Sequence, residues 1–230
     1  MSADRDFEAT DLIEVMEEAV EYNRFLIEEV ARWAADLGSV LDFGAGNGRF
    51  AIALQERRVP VCAVEPDAGL RTSIMQRGVE VVESLDALGQ ARFDGIYTIN
   101  VLEHIEDDCS MLERFARLLA PKGRLFVYVP AFQVLFSAND VRVGHVRRYR
   151  RASLVDRVER AGFAVEDASY VDSIGFVAAL GYRFLGNRDG GLDVRAVRTY
   201  DRVVFPLSRR LDRVFGGVFG KNLLVRASLP

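Results

Sequence analysis

The sequence predicts an α/β fold, a doubly wound and mostly parallel sheet with helices on both faces. Two observations predict it. Residues 39–50 take a short apolar strand directly into a glycine-rich turn and then into a helix. Residues 93–100 form an almost continuous apolar run, which is typical of a parallel strand that helices cover on both sides.

Strand and helix patterns alternate along most of the chain, as expected when parallel strands are joined by crossover helices. Seven strands are predicted, at residues 39–43, 60–65, 78–83, 93–100, 124–129, 162–171 and 222–228. Helices are predicted at residues 10–36, 49–57, 107–119 and 152–161, and a further helix opens at Pro66-Asp67, where Asp67 is expected to cap the backbone.

The glycine-rich turn carries the clearest functional signal. Gly44, Gly46 and Gly48 permit positive φ and a close approach of backbone N–H groups to a ligand. Their G-x-G-x-G spacing differs from the G-x-G-x-x-G of a pyrophosphate cradle. Asp42 precedes the turn, and Glu65 ends the next strand about 20 positions on, where an acidic residue accepts hydrogen bonds from ribose hydroxyls.

Four motifs in this order, VLDFGAGNGRFA, VCAVEPD, FDGIYTINVLEHIEDD and LLAPKGRLFVYVP, resemble the class I S-adenosylmethionine-dependent methyltransferases. The resemblance covers roughly residues 20–171. It implies a Rossmann-like domain whose last strand is antiparallel, with S-adenosyl-L-methionine as cofactor and S-adenosyl-L-homocysteine as product.

The resemblance also implies a cofactor site in residues 39–130, covered by the helix at 10–36. Ser84-Leu85 stands where the family often has Asp-Ala or Asp-Leu at the adenine. The implied cofactor contacts are Tyr22, Asp42, Gly44, Ala45, Gly46, Glu65, Pro66, Ser84, Leu85, Asn100 and Val101.

Residues 131–161 follow the fifth strand, where this family builds its acceptor site, and their G-H-x-R-R-Y pattern resembles methyltransferases of bacterial glycan and secondary-metabolite pathways. His145 and His104 are candidate bases for an acceptor hydroxyl, although in-line positioning alone can drive methyl transfer and each histidine can instead be structural. Arg148 and Tyr149 are the expected acceptor contacts. The arginines of this segment favour an anionic acceptor, or else are solvated surface charges.

Length and composition set further limits. The 230 residues, half of them hydrophobic, suit one domain over 1–230. Cys62 and Cys109 give neither a disulfide framework nor a metal-ligand spacing, so no metal is expected and a reducing cytoplasm is the expected compartment. No apolar run is long enough to span a bilayer, and no basic, aromatic-rich surface points to nucleic acid.

Residues 172–221 are predicted to be a helical insertion before the last strand. Three roles are open for it: a lid over the acceptor, a homodimer contact, or a peripheral membrane contact through 194–221. Charge is uneven, with eleven acidic residues against three arginines in 1–36 and eight basic residues against two aspartates in 195–226. This asymmetry indicates a partner surface, or two helix faces that attract one another.

The sequence therefore predicts a methyltransferase that acts on a small molecule. The predicted acceptor atom is a hydroxyl oxygen of an anionic sugar, glycan or metabolite. Nitrogen or carbon of a small metabolite or quinone is the alternative. Two other classes stay open: a nicotinamide-dependent oxidoreductase, and a methyltransferase-like assembly subunit without catalysis.

Overall fold

The structure, a computed structural model, describes residues 18–185 and 194–230, except for the side chains of 182–185. Residues 10–17 of the predicted first helix lie outside these ranges. The strands are β1 (Val40–Phe43), β2 (Val61–Val64), β3 (Glu80–Val82), β4 (Phe93–Ile99), β5 (Leu119–Pro130), β6 (Ala164–Val171) and β7 (Asn222–Ser228). The α-helices are α1 (Val20–Ala34), α2 (Arg49–Glu56), α3 (Ala68–Gln76), α4 (Asp108–Leu118), α5 (Ala138–Arg142), α6 (Arg151–Arg160), α7 (Ser173–Leu185), α8 (Val194–Thr199) and α9 (Phe205–Phe215).

The strands form one seven-stranded sheet in the order β3-β2-β1-β4-β5-β7-β6. Strands β1 to β5 pair in parallel. Strand β7 runs antiparallel to β5, because Leu229 N donates to Gly123 O near one end of the pair and Ala131 N donates to Lys221 O near the other. The α/β class, the seven strands, the antiparallel last strand and the helical insertion before it are all confirmed.

The predicted turn at residues 120–123 is the main local difference in the sheet. It lies inside β5, which starts at Leu119 and pairs with Phe93 before the register shifts to Gly95 opposite Arg124. The four residues form an irregularity in the ladder, because Lys122 takes a φ of 63° that interrupts regular pairing.

The described chain divides into two compact units. The first, the sheet unit, contains residues 27–128, 152–168 and 224–230. The second, the insertion unit, contains residues 18–26, 129–151, 169–185 and 194–223. A single domain over 1–230 stays a prediction.

The apolar runs of the sequence form the buried core of the sheet unit. The central strands bury nearly every side chain; Leu41, Ile96 and Val127 are fully inaccessible. Trp33 of α1 lies 5.7 Å from the ring of Phe126 and 6.4 Å from that of Tyr97, measured between ring centroids. Such aromatic contacts anchor α1 to the sheet through large buried surfaces.

Helix starts are capped by carboxylates in both units. Asp67 Oδ1 accepts a hydrogen bond from Leu70 N at 2.8 Å, which confirms the predicted cap of α3. In the insertion unit, the buried Asp201 caps α1, since its two oxygens accept hydrogen bonds from Glu21 N (2.7 Å) and Tyr22 N (2.9 Å). These amides have no partner within their own helix, and the positive helix terminus favours an anion.

The unlike charges of the two ends of the chain do attract one another in this unit. Glu18 pairs with Arg198 at 2.7 Å, and the Arg209 guanidinium lies 3.8 Å above the ring of Phe25. Some of the acidic residues near the start of the chain therefore pair with basic residues near its end. No helix among the described residues is both long and apolar enough to cross a bilayer.

We predict that Asp201→Ala lowers the free energy of unfolding by about 1–3 kcal/mol, because two helix amides lose their acceptor. Urea denaturation measures the change. Asp156→Ala, which removes an exposed carboxylate from an i,i+4 ion pair on α6, is the matched control and should cost less than about 0.5 kcal/mol. Equal losses in the two variants would contradict the capping role.

Candidate functional site

The glycine turn after β1 adopts the conformation that its residues predict. Gly44 and Gly46 have φ values of 80° and 56°. A Cβ on Gly44 would lie 2.4 Å from the Val101 side chain, whereas one on Gly46 would meet no atom within 4 Å. Gly44 is therefore needed for packing, and the space beside Gly46 is open to a ligand.

The turn does not present these amides to a ligand, contrary to expectation. Gly44 N and Ala45 N both donate to Val64 O, at 2.9 and 3.0 Å, and Gly46 N donates to the Glu65 carboxylate. A pyrophosphate cradle needs donors that are directed at the ligand. The turn instead supplies shape and leaves hydrogen bonding to side chains at its edge.

Glu65 joins the turn to the next helix. Its Oε2 accepts from Gly46 N at 2.7 Å, and its Oε1 accepts from Asp67 N at 2.9 Å, while the residue is only 6% exposed. Burial raises the pKa of this carboxyl, and the two amide hydrogen bonds oppose the rise. Each oxygen keeps a lone pair that can accept a hydroxyl proton.

Asp42 is a second buried carboxylate in the same unit. It is 2% exposed, and its Oδ2 makes no hydrogen bond with the described residues. Burial raises its pKa to about 7; the nearby Tyr97 hydroxyl opposes the shift, and the charge of Glu65 adds to it. A carboxyl in this state gains a favourable partner when a cation binds beside it.

The other predicted cofactor residues of the sheet unit follow strand ends. Pro66 comes directly after Glu65, and its carbonyl accepts a hydrogen bond from Arg71. Ser84 is half-buried and Leu85 buried at the turn after β3. Asn100 is exposed just after β4 and takes a φ of 55°, which is uncommon outside glycine. Parallel strands bring these ends to one edge of the sheet.

The two remaining predicted site residues, His104 and Tyr22, do not belong to this group. His104 ends a short 3₁₀ helix of the sheet unit and is exposed. Tyr22 belongs to the insertion unit, where its ring lies 5.4 Å from that of Phe205 in an edge-on contact. Contact of Tyr22 with the cofactor and catalysis by His104 stay predictions.

The insertion unit holds a buried charged cluster around Asp140. Asp140 Oδ1 lies 2.8 Å from His145 Nδ1 and 2.7 Å from Arg148 Nε, and Oδ2 accepts from Arg148 Nη2 at 3.0 Å. Burial would raise the pKa of Asp140, but hydrogen bonds from His145 and Arg148 and the arginine charge hold it well below its usual range. The carboxylate is therefore ionised, and a neutral His145 carries its proton on Nδ1.

Asp140 is the functional candidate for which sequence reasoning assigned no role. It stands before the G-H-x-R-R-Y pattern, and its carboxylate also accepts a hydrogen bond from Ser137 N at 2.8 Å at the start of α5. The available signal was an acidic residue five and eight positions before a histidine and an arginine. That spacing alone does not distinguish a surface charge from a buried one.

The predicted acceptor residues are both well packed. Arg148 is engaged by Asp140, although its Nη1 is buried without a hydrogen bond. Tyr149 is 1% exposed, and its backbone pairs with Pro130 and Phe132. Phe132 has a φ of 61° and stacks on Tyr170 with 4.7 Å between centroids. Strained residues of this kind persist where surrounding structure holds them, often at functional sites.

We predict that stability depends on pH through Asp42. An acid whose pKa rises from 3.8 to about 7 on folding binds an extra proton in the folded state between those values, so stability falls as pH rises across that window. Asp42→Asn should flatten this slope and raise the free energy of unfolding at pH 8 by about 2–4 kcal/mol.

Urea denaturation at pH 5 and pH 8 measures the Asp42 effect. Asp86→Asn, at a carboxylate that is 85% exposed, is the control and should keep the wild-type slope. An unchanged slope in Asp42→Asn would rule out the assigned ionisation.

The sheet-unit residues fit S-adenosylmethionine in chemistry. The open space beside Gly46 adjoins a carboxylate with accepting capacity for ribose hydroxyls, and Asp42 Oδ2 is an unsatisfied acceptor suited to a ligand that carries two positive centres. A dinucleotide fits less well, since the turn amides that would bind its pyrophosphate are already engaged.

Comparisons with known proteins agree with this chemistry. A family model described as a methyltransferase domain matches residues 16–168. A ubiquinone biosynthesis O-methyltransferase of Xylella fastidiosa (strain M23) is 35% identical over 98 residues, which is 38% of this chain and 40% of that protein. The matched stretch spans less than half the length of the curated relatives.

Two solved structures show the same fold at 14% identity. A Haloferax volcanii protein, in complex with the methyltransferase activator Trm112, has a TM-score of 0.64 and covers 99% of this chain and 96% of its own. The glycopeptide N-methyltransferase MtfA, complexed with S-adenosyl-L-methionine, has a TM-score of 0.55 over 89% and 92% of the two chains. With the family match over most of its length, the chain belongs to the class I methyltransferases that depend on S-adenosylmethionine.

Proposed function

We propose that the enzyme methylates a hydroxyl oxygen of a small, negatively charged acceptor, such as a sugar, glycan or secondary-metabolite intermediate. The observation that carries the oxygen assignment is the pair of buried Asp140 and half-buried His145, which suits a base for a hydroxyl proton. The O-methyltransferase name of the Xylella fastidiosa relative supports the same atom. Transfer to nitrogen or carbon is the alternative.

His145 is the proposed base, and Asp140 is the proposed positioning residue. An ionised Asp140 keeps the proton of neutral His145 on Nδ1, so the lone pair lies on Nε2, where it can accept the hydroxyl proton. The buried carboxylate then stabilises the imidazolium that forms. S-adenosylmethionine supplies the methyl group, whose bond to sulfur breaks as its bond to oxygen forms, leaving S-adenosylhomocysteine.

Arg148 has a narrower role here than that of a bidentate clamp on the acceptor anion. Two of its three nitrogens bind Asp140, so the pair has little net charge. Only Nη1 lacks a hydrogen bond among the described residues. This one nitrogen carries two N–H bonds on a largely neutralised arginine, so it offers an acceptor anion less than a free guanidinium fork would. Tyr149 would then support the segment by packing.

In the sheet unit, we assign the ribose hydroxyls to Glu65 and the adenine to Leu85 and Ser84. The positive end of the methionine moiety is assigned to Asp42 and to the backbone of Asn100. Glu65 supports this assignment best, because both carboxylate oxygens are held by amides and still keep accepting capacity.

The first experiment is an acceptor screen with purified enzyme and S-adenosylmethionine, which measures release of S-adenosylhomocysteine. The panel pairs uronic acids, hydroxylated aromatic acids and polyprenyl catechols with their O-methylated counterparts, and adds primary amines. Turnover that needs a free hydroxyl and is faster with the anionic members supports the proposal. Turnover of amines alone would overturn it.

We predict that Glu65→Gln weakens binding of S-adenosylhomocysteine by about 1–3 kcal/mol, because a neutral amide accepts hydroxyl hydrogen bonds less strongly than a carboxylate. Isothermal titration measures the affinity. The control, Glu113→Gln, changes an exposed carboxylate on α4 and should bind as the wild type does. Equal affinity in both variants would remove Glu65 from the ribose.

We predict that His145→Gln lowers kcat about 10²-fold or more with the acceptor that the screen identifies, while affinity for S-adenosylhomocysteine is unchanged. Asp140→Asn should lower kcat similarly and shift the pH–rate profile, because an amide no longer fixes the Nδ1 proton. Asp156→Asn is the control. Full activity of His145→Gln at neutral pH would favour an acceptor that needs no base.

A further inference from the structure

An apolar stripe lies exposed along the last helix of the insertion unit and the residues that flank it. It consists of Val203, Leu207, Leu211, Val214 and Val218, which are 66%, 51%, 37%, 72% and 68% exposed. Leu207, Leu211 and Val214 lie within α9 at steps of four and three residues, which place them on one face of the helix. Val203 stands in the π-helical turn just before α9, and Val218 in the turn just after it. Single exposed apolar residues are ordinary, but three on one helix face with a further one beyond each end of the helix indicate a contact surface.

The stripe is not the face by which α9 packs into its own unit. That face carries Phe205, which is 2% exposed, and Ser208, which is inaccessible and accepts a hydrogen bond from Ile174 N at 2.9 Å. It also carries Asp212, whose oxygens accept from Asp172 N and Ser173 N at the start of α7. The helix is thus fully anchored on one side and apolar on the opposite side.

The exposed charges of residues 202–218 themselves are all arginines, and the described acidic residue that interacts with one of them, Glu18 with Arg202, lies before the start of α1. Arg202, Arg210 and Arg213 are exposed along its border, and no described acidic residue forms an ion pair with Arg210 or Arg213. The two acidic residues of the segment, Asp201 and Asp212, have side chains that are almost fully buried and serve as helix caps. The solvent therefore meets exposed apolar side chains with cations along one border of the helix face.

A second copy of the chain fits this surface poorly. A two-fold contact brings the same patch of both subunits together, so the three border arginines would face their own copies. Like charges across an interface cost free energy unless acidic residues compensate them, and the exposed side of this segment offers none. An exposed face whose charges are arginines instead favours a partner with an extended anionic surface.

We propose that this apolar stripe lies on an anionic lipid surface, with α9 parallel to the membrane plane. An amphipathic helix with apolar residues on one face and arginines along its border is the form of an interfacial helix, which buries its apolar side chains at the headgroup boundary. With 11 residues, four of them charged, the helix is too short and too charged to span the bilayer. Membrane binding through this surface does not depend on which acceptor the enzyme methylates or on which acceptor atom receives the methyl group.

The test is sedimentation of the full chain with lipid vesicles. Vesicles of phosphatidylcholine containing about one third phosphatidylserine should bind the protein, those of phosphatidylcholine alone should bind it much less, and salt should release it. Val214→Asp should abolish binding. Arg210→Ala with Arg213→Ala should weaken it about 5-fold for each charge removed.

Met75→Asp is the matched control, because Met75 is 54% exposed on α3, in the sheet unit. It should bind vesicles as the wild type does, and all variants should keep wild-type affinity for S-adenosylhomocysteine, which shows that they fold. Absence of vesicle binding by the wild type would overturn the proposal. So would a concentration-dependent dimer in sedimentation velocity that Val214→Asp abolishes, since the stripe would then be a subunit contact.

Discussion

Buried carboxylates that accept hydrogen bonds from backbone amides at helix starts are the interaction on which both units depend. Asp201 accepts two amides of α1, Asp212 accepts two at the start of α7, and Glu65 joins Gly46 to Asp67. Each is costly to bury alone, and each accepts at least one N–H group at a helix start that the helix cannot satisfy itself. Carboxylate and helix start therefore stabilise one another.

This arrangement decides what the glycine turn can do. Because the amides of Gly44, Ala45 and Gly46 are taken by Val64 and Glu65, the turn has few donors left for phosphate. Its glycines remain necessary for conformation and for packing against Val101. A ligand here is recognised by acceptor groups, which matches a nucleoside with hydroxyls and positive charge better than a pyrophosphate.

The sequence predicted the elements whose signal is local. Strand β4 was evident from an almost continuous apolar run, and the cap of α3 from Pro66-Asp67, because a strand or a cap depends on a few consecutive residues. The irregularity in β5 was missed, since a tight turn and a bulge use the same residues, and only the partner strand distinguishes them. The cofactor contacts stay a prediction, which was made for the residues as a set because parallel strands bring their ends together whatever their sequence separation. What escaped prediction depends on distant partners or on burial: Asp201 caps a helix about 180 positions away, and Asp140 differs from an ordinary surface aspartate only through its burial with His145 and Arg148.

The capping of helix starts by buried carboxylates also explains why the exposed side of the insertion is so strongly positive. Residues 195–226 are strongly basic in sequence, but the count includes Asp201 and Asp212, whose carboxylates face inward. The exposed side is therefore more cationic than composition suggests, because the folding requirement of two helix starts removes the acidic residues from the surface. A segment built in this way combines an interior face, whose carboxylates are hydrogen-bonded to helix amides, with an apolar and cationic exterior. The two faces have different physical causes, so a substitution on the outer face can change what the segment binds without disturbing the caps that hold it in place.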